Sequence, residues 1–383
     1  MRRSRYIIWL VLICFTYCLF NPLYVMADVS SSTLTIQQAL DEAYKSNPDL
    51  RKAELEVEKS KIQRDDAADV VEYIPAGGLI SSSAQKVVNL YQQAEIGLAT
   101  QKKSRDAAKA TLTKNVLVAY TSALKAYNDM EASRQDMQVL KEKKRVASLA
   151  KDLGLSSTVD YAEFNDGIAK GEEGLKAKEQ LYKNAVASLA YYLGKGQEWA
   201  PNFNSKAVIT QYPRNELSME LSRTIDESVL ILEKKASYQV EASKKDWFLT
   251  DINSGIQKRN LEISEIDLEQ AKRDARKTME QLYYSISAKE NEIVINRKSL
   301  DIAQRDLKVA ELKYQLGMLP KIAVTGDSLT SFQNTEAKAR YDLENSCADL
   351  ASLKAQFAVI TGKNVYDPSD WSPAAVTTAT PAK

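Results

Sequence analysis

Histidine is absent from the 383 residues, which removes imidazole metal ligands, His-dependent catalytic triads and a histidine pH switch together. Only 13 glycines and 9 prolines punctuate the chain, so long uninterrupted elements are expected. An excess of one charge is lacking too: 52 Lys and Arg stand against 51 Asp and Glu. No basic stretch is interleaved with aromatics, which leaves nucleic acid no footprint. A single apolar run, Ile7 to Phe20, approaches membrane length; it follows Arg2, Arg3 and Arg5 and precedes Val25-Met26-Ala27. Residues 1–27 therefore read as an export signal cleaved before Asp28. Ile13 and Tyr17 are too large for the small residue that a lipoprotein signal sets before its cysteine. With Cys14 and Cys18 removed, Cys347 is the one thiol left and no intrachain disulfide is possible. It lies on the stripe Leu343, Cys347, Leu350, Leu353, where a small core residue is expected.

What is abundant is alanine, lysine, glutamate, leucine and glutamine, the usage of long helices. Thr33 or Thr35 starts a helix that carries Ile36, Leu40, Ala43 and Tyr44 and runs, with an interruption at Pro48, to about Val71. A very long helix then spans about Ala84 to Leu153. Its positions Leu112, Val116, Ala119, Ala123, Ala126, Met130, Ser133, Met137, Leu140, Lys144 and Ala147 alternate steps of four and three, a continuous heptad seam. Gly154 suits the left-handed residue that ends a helix, and Ser156 or Ser157 can cap the next, which runs to Leu193.

The cadence of "VASLAKDLG" (146 to 154) returns as "VAELKYQLG" (309 to 317). Carried forward by the spacing from Gly154 to Gly317, the seam becomes Ala275, Met279, Leu282, Ile286, Lys289, Ile293, Asn296, Leu300, Ala303, Leu307 and Ala310. A second echo links "RKAELEVEKSK" with "KKASYQVEASK". The chain is therefore expected to be all-α, with long antiparallel coiled-coil hairpins in two structural repeats. The repeats span 28–196 and 217–363, with an irregular connection at 197–216 and a loose tail at 364–383. Two short helices of about 36 residues laid end to end match a long one of about 70, roughly 105 Å. Gly154 and Gly317 then mark tips at one end. Such a layer has open edges, and self-association closes it; the stripe Leu117, Tyr120, Leu124, Tyr127 and Tyr283 is the expected contact.

With these residues in view, the chain resembles the TolC-type outer-membrane channel tunnels of efflux and type I secretion systems. The resemblance rests on "LTIQQALDEAYKSNPDLRKAELEVEKSK", on "VLVAYTSAL" followed by "LGLSSTVDY", and on "LGKG", covering roughly Leu34 to Lys363. It implies a TolC-like α-barrel protomer, a homotrimer forming a passive conduit, and partners in a periplasmic adaptor protein and an inner-membrane transporter. It also implies adaptor-contact tips at Leu153, Gly154, Leu155 and Ser156, and at Leu316, Gly317, Met318 and Leu319. Tunnel-entrance carboxylates are implied at Asp160, Glu163 and Asp327, although acids in a helix's first turn also favour its N-terminus without any gating role. Two strands per repeat, each of ~9 to 11 residues, build the family's membrane barrel. "YIPAGGLISSSA" and "FLTDINSGIQ" are too short for such a hairpin, so little or no β-barrel is expected and outer-membrane insertion is in doubt. The alternative function is an exported, non-conducting coiled-coil scaffold that docks an adaptor. No cofactor site or nucleophile motif is present, and no enzymatic activity is expected.

Overall fold

The computed structural model describes residues 33–72, 82–154, 158–196, 198–208, 217–245, 254–323 and 326–373. In the first repeat, α1 (Ile36–Ser46) begins at Thr35, whose side chain accepts from the Gln38 amide while Gln38 returns the bond to the Thr35 amide. This reciprocal cap satisfies two orphan donors. Asn47 ends α1, and its side chain accepts from the amides of Asp49 and Leu50 to start α2 (Pro48–Glu72). α3 (Ser82–Asp152) is 71 residues long, roughly 105 Å, and α4 (Thr158–Leu193) returns along it.

The second repeat begins less cleanly than expected. Where one leading helix was anticipated, α5 (Leu217–Thr224), two 3-10 turns (Ile225–Glu227 and Val229–Ile231) and α6 (Leu232–Lys245) follow one another. The break is made by Ser228, fully buried, whose hydroxyl accepts from the Leu230 amide. α7 (Ser254–Gln315) and α8 (Leu329–Thr361) complete the hairpin. Strands among the described residues are confined to β1 (Thr33–Leu34) with β2 (Asn202–Phe203) and β3 (Ser205–Ala207) with β4 (Trp371–Pro373). β3 and β4 pair antiparallel with Ala207 opposite Trp371. Residues 364–373 of the stretch expected to be a loose tail thus include a 3-10 turn and a paired strand, and part of the expected irregular connection is strand.

All eleven seam positions of α3 and all eleven of α7 are buried or half-buried. α3 is central: α2 and α4 pack along one side of it, α6 and α8 along the other, and α7 lies beyond them against α6 and α8. Polar cross-links set the directions. Lys125 meets Asp349 (2.5 Å), Asn128 donates to Asn345 (3.0 Å), and Asn334 donates to Asp136 (2.6 Å). Rising numbers on α3 thus meet falling numbers on α8. Lys289 meets the same Asp349 (3.3 Å), and Asn296 donates to Ser346 (2.7 Å). α3 and α7 therefore run parallel, and Gly154 and Gly317, both left-handed at φ 73° and 72°, lie at one pole.

Candidate tips and an open helical edge

At the tip pole, Leu153, Leu316 and Met318 are each seven-tenths or more exposed, Gly154, Gly317 and Asp327 are exposed, and Leu319 is half-buried. Leu155 and Ser156 lie outside the described residues; Asp160 falls in the first turn of α4 but its side chain is not among those described. Glu163 is exposed. The second tip is the longer: Leu329 donates its amide to the Pro320 carbonyl (3.1 Å), and Thr330 donates to the Lys321 carbonyl from amide (3.0 Å) and hydroxyl (2.8 Å). Ser328 is buried and caps α8, so Asp327 stands directly before a helix start. Among the described residues no group of three or more His, Cys, Asp or Glu is arranged to hold a metal. Cys347 is buried and its thiol is pushed up to about 11 by that burial, which keeps it protonated and inert.

The stripe expected to mediate self-association is corrected in part by the packing, for Tyr127 is exposed and Tyr283 half-buried. Leu117, Tyr120 and Leu124 are buried inside the chain because α1, α8 and the strands cover that face of α3. Tyr120 is the centre of this joint. Its hydroxyl donates to the Leu34 carbonyl (3.1 Å) and the Ser205 carbonyl (3.2 Å) and accepts from the Ser205 amide (3.2 Å). Its ring meets Phe203 and Trp371 edge-on at 5.1 and 5.7 Å. Burial pushes the phenol up to about 12, against the opposing hydrogen bonds to Ser205 and Asn204.

The stripe that is left open lies on α7 and on Leu316 just past its end. Ile256, Ile263, Tyr284, Ile295, Ile302, Val309, Leu312 and Leu316 are each half or more exposed. Ile295, Ile302, Val309 and Leu316 are spaced by seven, on the side of α7 away from its seam with α8. The matching residues of α3, Ala132, Val139 and Val146, are half-buried, with α8 packed against that helix. Heptad spacing alone carries this signal, but in the sequence the aromatic stripe on α3 overshadowed it.

Comparison by sequence finds no matching family and no matching curated protein. Comparison of folds finds solved outer-membrane channels. The outer membrane protein VceC of Vibrio cholerae aligns over 86% of this chain and 97% of its own with TM-score 0.60 at 13% identity. CusC, described in connection with transmembrane channel formation, aligns over 90% and 96% with TM-score 0.60 at 14% identity. The Campylobacter jejuni CmeC outer membrane channel aligns over 87% of each chain with TM-score 0.59 at 12% identity. The fold is that of TolC-like α-helical tunnels, with strands among the described residues limited to the four short segments. No helix among those residues is long and apolar enough to cross a membrane.

Proposed function

We propose that this chain is one protomer of a TolC-like channel tunnel of an envelope efflux or type I secretion system, a passive conduit closed by three copies. Its apolar tips, Leu153–Ser156 and Leu316–Leu319, are the contact for a periplasmic adaptor that couples the tunnel to an inner-membrane transporter. Asp160, Glu163 and Asp327 stand at the mouth. Residues 28–196 and 217–363 supply the two hairpins, 197–216 joins them, and residues 1–27 direct export to the envelope. The likeness in fold to outer-membrane channels supports the class.

The observation that carries assembly is the open apolar stripe on α7. Inside the chain, α8 of the second repeat lies on α3 of the first; by the repeat, α4 of a neighbouring copy takes the equivalent place on α7. The return helices match at a spacing fixed by Gly194 and Gly362: Val186, Leu189, Ala190 and Leu193 are buried on α4, as are Lys354, Phe357, Ala358 and Thr361 on α8. The contact of Gln135 with Tyr341 (3.2 Å) then becomes Lys298 against Glu173 of the next copy. Both side chains are exposed and opposite in charge, which favours the pairing and its register. Lys298→Glu is expected to weaken assembly about tenfold or more in sedimentation, and adding Glu173→Lys to restore it. A chain that stays monomeric at micromolar concentration, with or without these changes, contradicts the reading.

A non-conducting envelope scaffold is the second reading. The linkers favour it: α2 ends at Glu72 and α3 begins at Ser82, while α6 ends at Lys245 and α7 begins at Ser254. Neither gap accommodates two strands of ~9 to 11 residues. Reconstitution into lipid bilayers separates the two, since single-channel conductance supports the conduit and its absence in assembled trimers supports the scaffold.

A further inference from the structure

The segment after α8 adds a second junction between the repeats, beside the packing of α6 and α8 on α3. Gly362, left-handed at φ 66°, turns the chain off α8, and the Lys363 amide donates back to the Ala358 carbonyl (2.9 Å). Val365 and Tyr366 pack on the core of the first repeat, and Trp371 packs on the cores of both. Asp367 caps the 3-10 turn Pro368–Asp370 through the Ser369 amide (2.9 Å). Asp370 pairs with Lys354 (3.1 Å), a lysine with only 8% of its side chain exposed, and the Asp370 carbonyl accepts from the Val208 amide (2.9 Å). β4 then zips onto β3, and Trp371 closes one wall around Tyr120.

We propose that residues 364–373 form a clasp that locks the two repeats into one layer and that opens as a unit before the long helices do. The strands are three residues long, and the turn beside them is a single 3-10 turn whose residues are exposed or half-buried, so few bonds resist its release. Yet three things gather beneath it: the Leu34 carbonyl from before α1, the 205–208 connection, and the Tyr120 face of α3. Opening therefore loosens the joint between the repeats while leaving the seams near the tips intact. The clasp belongs to the single chain, so it does not depend on whether copies close into a ring.

Hydrogen exchange on the full chain, on a chain ending at Lys363, and on that shortened chain with a synthetic peptide of residues 364–383 tests this. Shortening is expected to speed exchange about tenfold to a hundredfold at 112–124 and 202–208, with 130–147 and 293–310 changed by less than about threefold. The peptide is expected to restore protection, and the same peptide with Trp371→Ala to fail. Unchanged protection at 112–124 on shortening, or equal rescue by both peptides, overturns the clasp. If the shortened chain does not fold, the full chain carrying Trp371→Ala gives the answer: faster exchange confined to 112–124 and 202–208 supports it, and no change overturns it.

Discussion

The two long helices carry the same seam in the same register and end in the same left-handed glycine, yet their surroundings differ. α3 has neighbours on both sides, whereas α7 has them on one. Heptad positions that are half-buried on α3 reappear on α7 as exposed isoleucine and valine. An apolar stripe in the sequence suits a packed face; only the layer's order shows whether the chain itself covers that face. Duplication thus yields a central helix and an edge helix from one pattern, and the edge helix carries the stripe on which the proposed assembly rests.

The contrast is sharpest between Tyr120 and its repeat counterpart Tyr283. Tyr120→Ala removes a fully buried ring and three hydrogen bonds and is expected to cost about 3–5 kcal/mol in denaturant unfolding. Tyr283→Ala, at a half-buried site, is expected to cost about 1–2 kcal/mol. Equal losses at the two sites would erase the distinction between centre and edge. A titration adds to this: the raised Tyr120 phenol contributes stability that is fully present below pH 10 and is lost as pH rises toward about 12. Alkaline unfolding is therefore expected to begin in that window.

The tips, in contrast, are expected to behave alike. Gly154 and Gly317 share a left-handed backbone, and a Cβ at either meets nothing within 4 Å. Gly154→Ala and Gly317→Ala are each expected to cost about 1 kcal/mol through backbone strain alone, as read from unfolding midpoints. A much larger loss at one tip would reveal a contact that its twin lacks.

The smallest effect is electrostatic. The Glu292 carboxyl is held below the ordinary range by its hydrogen bond from Lys289, against the effect of burial, with Ser346 adding a second bond. For Lys289, burial pulls downward, but hydrogen bonds to Glu292 and Asp349 and the charge of Asp349 outweigh it. A depressed carboxyl contributes stability present above its ordinary pKa near 4.5 and lost as pH falls through the lowered value. A raised lysine contributes stability lost only above its ordinary value near 10.5. Glu292→Gln is expected to lower stability slightly at neutral pH and to leave it nearly unchanged well below about pH 4.5, which flattens the acid limb of the stability profile.

Much of this was legible in the sequence. Heptad steps along 112–147 and 275–310 marked both seams, and the repeated glycine marked both tips, because a long amphipathic helix writes its period many times over. Sequence could not disclose β3 and β4, since three residues are too few to show an alternation. The broken start of the second repeat was hidden as well, because Ser228 acts through burial and a local cap rather than through a period. Tyr120 stood out as apolar, but whether it faced a second copy or its own chain depended on where α1, α8 and the short strands came to rest.

The most direct test replaces Lys298 and Glu173 by cysteine in a chain carrying Cys347→Ala and oxidises it at low concentration. Placement of α4 of one copy on α7 of the next predicts covalent trimers as the largest product, with neither single-cysteine chain closing into them. Monomers alone from the double-cysteine chain, or bonding no different from that of the single-cysteine chains, would contradict it.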